Sequence, residues 1–387
     1  MTLKRTFRAH GRACPAAGPA TVALMVLALL ASGPLAAQQS PARLTGRFDR
    51  EAGDFVLSLG PIDLPAGATH HQVLQPKAQE VPLPGAGWLR GYRVELVDRS
   101  GRPVPQAVLH HLNLMTPGRR EMFSPIMLRL GAAGQETAPV KLPFLMGFKV
   151  KEGEKILVTA MFANEGSRQP YLGVTLRVHM PFTPEGTWLP PFSVYPFYID
   201  VMPPAGTHAY DLPPGKSQRS WDAHPATAAR ILGVGGHLHK YGTLLRFEDA
   251  TARKVLWEAR PMLGPDSDVV GMPVGRFWWR GGVKVEPGHV YRVTAFYDNP
   301  TGRTIPEGAM GTFGGILVPS RGAVWPALNT SDPEYRKDVL VTWAGMQMTG
   351  AGMDMHMPGM APHAPAAPGA AKKVPAPAAG TSVPARR

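Results

Sequence analysis

The chain has 387 residues, of which 43 are Gly and 42 are Pro; a residue class that breaks helices so often excludes a bundle of long helices. A hydrophobic content of 44%, with eight Trp and fourteen Phe, excludes a wholly disordered chain. The formal charge of +13 is spread without a basic cluster interleaved with aromatics, which excludes a nucleic-acid partner.

Residues 1–37 read as an export signal: Lys4, Arg5, Arg8 and Arg12 precede the apolar run Ala20 to Ala31, and small residues follow through Ala36-Ala37. A run of twelve apolar residues is too short to cross a bilayer, so the mature protein is expected in the periplasm or secreted, without stable membrane insertion. The one cysteine, Cys14, lies inside that signal. The exported part then has neither thiol nor disulfide, and any metal must be held by His, Met or carboxylate.

Period-two runs follow at Asp54 to Leu59, Leu89 to Val97, Gln106 to Leu114, Lys155 to Phe162 and Leu172 to His179, each closed by Gly, Pro or Asn. They predict a first antiparallel β-domain over 42–200. The Pro-rich, polar stretch Val201 to Pro225 is read as the boundary. Strands resume at Arg230 to Val234, Thr243 to Phe247, Lys254 to Ala259, Gly282 to Val285, His289 to Tyr297 and Gly311 to Val318, giving a second domain over 201–345. The expected fold is all-β, two antiparallel β-sandwich, jelly-roll-like domains. From Met346 the character changes, with six Met in fifteen residues (MQMTGAGMDMHMPGM) and then an Ala/Pro-rich end. Interleaved with Gly and Pro, these cannot build a core, so a disordered tail is expected over 346–387.

Three features carry candidate chemistry. His237 and His239, in GGHLHKYG, sit two apart on a predicted strand and project from the same face, the geometry of a chelating pair; two surface histidines fit the same pattern. His110 and His111 are adjacent, so both rings reach one ion only at a bulge, a strand end or a strong twist; otherwise one is core and one outside. Met310 precedes the apolar strand TFGGILV, where Met is also ordinary core filler. A further pair, His70-His71, follows Pro65-Ala66-Gly67 in a loop and is read as structural.

Order and spacing bind these features together: an HH pair, an HxH motif 127 residues after His110, and a Met 71 residues after His239. The pattern resembles the copper type II, ascorbate-dependent monooxygenases, the family of peptidylglycine α-hydroxylating monooxygenase and dopamine β-monooxygenase, over residues 42 to 320. Pro203-Pro204-Ala205-Gly206 echoes a further family motif. The resemblance implies two β-sandwich domains and two copper sites: His237, His239 and Met310 where oxygen binds and a C–H bond of a small substrate is attacked, and His110 and His111 at the electron-supplying site, with ascorbate as reductant. Two imidazoles and a thioether also suit Cu(I) on chemical grounds.

The family's third histidine at the electron-supplying site corresponds here to Met161, with His179 a rival for the role. Gly235 and Gly314 stand where the peptidylglycine enzymes grip a substrate carboxylate, which argues against a peptidylglycine substrate. Met161 and the Met-rich tail leave open a second function, a non-catalytic copper-binding or copper-delivery protein with a copper donor or acceptor as its partner.

Overall fold

Period-two patterning becomes paired strands in the computed structural model, which describes residues 41–344 apart from 144, 207 and 265. Along Tyr171–Pro184, Val174, Leu176, Val178 and Met180 are buried while Thr175, Arg177 and His179 between them are only partly so, as alternation across a strand requires. The fold is all-β, with Pro333–Ala344 the one α-helix among the described residues. That helix is not long and apolar enough to cross a membrane. Residues 1–37, read as an export signal and containing Cys14, and the Met-rich residues 346–387 lie outside the described residues.

Two sheets enclose the first core. One runs through Arg43–Asp49, Asp54–Leu64 and Tyr171–Pro184, with Gly91–Val97 paired to the last of these. The other has the order Gln79–Pro82, Lys155–Phe162, Leu109–Arg120, Met127–Ala133. Leu57, Leu59 and Val178 of the first meet Leu112, Leu114 and Val158 of the second in one buried cluster, the interior of a β-sandwich.

A second pair of sheets follows. Tyr195–Asp200, Gly311–Pro319, Ala229–Leu238 and Gly275–Arg276 form one, and Gly215–Ala223, Tyr291–Asn299, Gly242–Asp249 and Lys254–Ala259 the other. Their core contains Ile231, Val234, Leu245, Phe247, Val293 and Phe313. Phe313 stacks on Phe247 with ring centroids 4.4 Å apart.

Several elements were not in the sequence reading, Arg43–Asp49, Met127–Ala133 and Tyr195–Asp200 among them, and two others show why. The stretch read as a boundary contains the strand Gly215–Ala223, which pairs along its whole length with Tyr291–Asn299. It is an edge strand with most side chains in solvent, so it needs little apolar content and reads as linker. The helix Pro333–Ala344 escapes because its apolar contact is short, Tyr335 and Val339 one turn apart against Met115, Met127 and Leu157; the Asp332 carboxylate caps it by accepting the Glu334 N–H at 2.9 Å.

That helix returns the chain to the first sandwich. Asp338 is buried against Arg129 of Met127–Ala133, with N···O distances of 2.5 and 2.9 Å, and also accepts the Met127 N–H at 3.0 Å. In the other direction Met122 and Phe123 enter the second core, and Trp325 packs against both. The two cores are therefore stitched by segments exchanged across residue 200.

Two buried carboxyls sit in this seam. Burial raises both Glu121 and Asp200 to about 7, against the opposing effect of the donors on them, the Met122 N–H and the Tyr198 hydroxyl respectively. A group with a raised folded-state value contributes stability that is full below its unfolded value and is lost as pH rises through the folded one. Between pH 4 and pH 8 the wild type is expected to lose stability relative to Asp200→Asn, read as melting temperature against pH. Parallel curves would reject this.

Candidate metal centre

The HxH motif ends the strand Ala229–Leu238, where His237 is opposite Thr312 and Leu238 opposite Gly311. The pairing ends there, and His239 and Met310 follow at the two adjoining strand ends. Ring centroids of His237 and His239 are 5.2 Å apart. Imidazole–metal bonds of about 2.0 Å put two rings sharing an ion within roughly 6 Å of each other, so this pair is at chelating distance. Both rings are half-buried rather than on the surface.

Backbone clamping fixes the third member. The hydroxyl of Tyr297, which is buried, accepts the N–H groups of His239 and Met310 at 3.0 Å each and donates to the Met310 carbonyl. One phenol thus ties the two strand ends that bring His239 and Met310 together. Gly236 is glycine for packing rather than to leave room for a ligand: a Cβ there would meet Leu245 Cδ2 at 2.2 Å and the Thr312 carbonyl at 2.8 Å.

A carboxylate that the sequence reading missed completes this group. Glu136, from the loop after Met127–Ala133, accepts from His237 Nδ1 at 2.6 Å. Burial alone would raise the Glu136 carboxyl, but the hydrogen bond and charge of His237 outweigh it and hold the group below the usual carboxylate range. An ionised carboxylate only accepts hydrogen bonds, so His237 donates to it from Nδ1. The Nε2 of His237 is buried without a hydrogen-bond partner. A metal-ligating histidine with its other nitrogen tied to a carboxylate or carbonyl is the usual arrangement around bound ions.

The His110-His111 pair sits at a bulge. Leu109 is opposite Phe162 and His111 opposite Met161, leaving His110 as the extra residue. This is the condition under which adjacent residues turn to one side, and the two rings approach to 4.4 Å. Met161, directly across from His111, shares its face. His110 Nδ1, like His237 Nε2, is buried and unpartnered. His179 is elsewhere: it lies in the opposite sheet, with Nε2 3.0 Å from Glu95.

The two pairs form one cluster. The His111 ring is 6.2 Å from both His237 and His239, and His70 is 5.2 Å from His110 with His71 beside it at 3.8 Å, the two rings tilted by 44°. Burial, reinforced by neighbouring imidazoles, lowers His110 to about 4 and His239 to about 3, and lowers His111 as well. Near neutral pH these rings are uncharged, the form that binds metals. No three His, Cys, Asp or Glu side chains among the described residues make a ready ligand set. Imidazole rings with unpartnered buried nitrogens, at His237 Nε2 and His110 Nδ1, suit copper better than a hard ion.

No family model matches the chain, and no curated protein does. Among solved structures, the major capsid protein P2 of bacteriophage PM2 is 11% identical, with 69% of this chain and all of that one covered and a TM-score of 0.29. The infectious bursal disease virus Gx strain structure is 10% identical over 75% of this chain and 76% of that one, TM-score 0.21. The T13 particle of the same virus is 9% identical over 77% and 74%, TM-score 0.19. Likeness at that level carries no argument about function.

Proposed function

We propose that this chain is an exported copper protein akin to the type II copper monooxygenases, using oxygen and ascorbate on a C–H bond of a small substrate. One site would be held by His237, His239 and Met310, the other by His110 and His111 with Met161 across the ladder. The observation that carries the reading is the buried, unpartnered Nε2 of His237, whose ring Glu136 orients through Nδ1. Copper bound there would supply one-electron chemistry with dioxygen. The chain's own part is to keep the imidazoles neutral, orient His237 through Glu136, and hold His239 beside Met310 through Tyr297. A peptidylglycine-type carboxylate clamp is not supported, because a side chain at Gly314 would press on the Phe197 carbonyl at 2.8 Å.

The test is copper content after Cu(II) loading and dialysis, since thioethers of the Met-rich tail hold Cu(II) poorly. Wild type is expected to retain two coppers and a folded His239→Ala variant one. Equal content in the two proteins would refute the assignment.

A second reading, a non-catalytic copper carrier, is favoured by Met161, whose thioether opposite His111 prefers Cu(I) and resists cycling. Oxygen uptake that needs both copper and ascorbate, and exceeds that of free copper, supports the enzyme; its absence in the fully loaded protein supports the carrier.

A further inference from the structure

The segment from Arg260 to Arg280 runs between the two sheets of the second sandwich and carries apolar side chains that the core does not use. Val269, Met272 and Phe277 turn inward and pack on that core. Met262, Leu263, Val270, Val274 and Trp279 are each more than half exposed. A single exposed hydrophobe needs no explanation, but five within 18 residues mark an interaction surface.

This surface is preformed. Met262–Leu263 and Val269–Gly271 pair as a hairpin, closed by the Gly264 N–H donating to the Asp268 carbonyl at 2.8 Å. Lys240, the residue after His239, holds the Asp268 carboxylate at 3.0 Å. Beyond the hairpin, Gly275 and Arg276 pair with Val234 and Gly233. Alternation sends Val274 and Arg276 to one face, while Gly275 between them faces Val234 and Trp257.

Its charge is one-sided. Arg260, Arg276 and Arg280 are exposed, and none has a carboxylate partner among the described residues. Arg280 lies over the Trp279 ring, 4.1 Å from its centroid. Asp268 is taken by Lys240, which leaves Asp266 as the segment's other acid. Trp279 Nε1 donates to the Arg276 carbonyl at 2.9 Å, so the ring can leave water without stranding its one donor.

From this combination of exposed apolar side chains and unpaired guanidiniums we propose that residues 260–280 dock the protein on an anionic phospholipid bilayer, lying on it rather than crossing it. Tryptophan and aliphatic side chains enter the boundary between headgroups and acyl chains, and the arginines meet the phosphates. A second copy fits worse, because a two-fold contact sets the same patch against itself and brings three arginines against three. A Cβ at Gly235, two residues before His237, would meet Val274 at 3.7 Å, so docking brings the edge of the histidine cluster to the bilayer. The inference is independent of the copper reading.

The test is co-sedimentation of the full chain with vesicles of phosphatidylcholine, alone or mixed with phosphatidylglycerol, beside light scattering without lipid. Wild type is expected to bind the mixed vesicles, more weakly as salt rises, and to bind phosphatidylcholine vesicles poorly. Arg276→Gln combined with Arg280→Gln is expected to weaken binding roughly 25-fold, at about fivefold for each arginine. Leu263→Ser combined with Trp279→Ser is expected to cost at least about tenfold. Trp188→Ser, which removes a 94% exposed tryptophan of another loop, is expected to change nothing. All the substituted side chains are exposed, and melting curves confirm that each variant is folded. No binding by the wild type, or unchanged binding in both folded double variants, overturns the proposal, as does loss of binding in Trp188→Ser instead. A lipid-free dimer that the Leu263/Trp279 variant dissolves also overturns it, and makes this face an interface between copies. Equally tight binding to polyglutamate, insensitive to the Leu263/Trp279 substitutions, overturns it in favour of an acidic protein partner.

Discussion

Tyr297→Phe is expected to destabilise the protein by about 2–4 kcal/mol and to weaken copper at the His237/His239/Met310 site. The hydroxyl serves two buried backbone N–H groups and one carbonyl, at His239 and Met310. Removing it deletes no packing volume of consequence, but each backbone group left buried without a partner costs about 1–3 kcal/mol. Some of that is recovered if the two strand ends separate to reach water. That separation is itself the functional damage, because it moves Met310 away from His239. Chemical denaturation should therefore show the lower stability, and chelator competition should show weaker copper in the same protein. A purely structural tyrosine would lower the first and spare the second. Loss of affinity without loss of stability would also contradict the clamp, since the strain would have nowhere to appear.

How far the sequence carries depends on whether a feature is local. Lys155–Phe162 and Lys254–Ala259 were legible to the residue because alternation and turn signals bound them on both sides. The HxH geometry was legible because side chains two apart on a strand must point the same way. The requirement for a bulge at His110-His111 was legible too, although its cause, the offset between Leu109 and Phe162, belongs to strand pairing. Glu136 was not legible: it is a lone acid in a polar loop, 101 residues from His237, and only the meeting of the two sandwiches gives it a partner. His70 was read as structural for a similar reason, since its place beside His110 depends on Gln75 and Asn164 reaching across to other strands. A second adjacent histidine pair in a chain with thirteen histidines was the one available hint.

The same distinction explains the two misread elements. An edge strand such as Gly215–Ala223 takes its stability from one neighbour's ladder, not from its own apolar residues. The helix Pro333–Ala344 takes its position from a buried Asp338–Arg129 pair together with Tyr335 and Val339 packed on the first sandwich. Both features are long-range, and both help position the site: the first supports the strand carrying Tyr297, and the second anchors the strand that leads to Glu136.

Glu136→Gln is expected to weaken copper binding about 10–100-fold, the usual cost of removing an outer partner from a ligating histidine. Glutamine keeps the size and one acceptor oxygen, so the loop retains its shape; Gln106, which donates to the Gly134 and Thr137 carbonyls at 2.7 and 2.9 Å, holds it independently of residue 136. What changes is charge. A carboxylate forces the proton onto His237 Nδ1 and makes Nε2 more basic, whereas a neutral amide also offers donors and so accepts either tautomer. Folding should therefore be nearly unaffected while affinity falls, and Glu136→Asp, shorter but charged, should recover part of it if the carboxylate reaches the ring. The decisive readout is chelator competition beside a melting curve. A drop in melting temperature with unaltered affinity would make Glu136 a tie between the two sandwiches and nothing more; a drop in affinity alone identifies it as the residue that sets His237 for its metal.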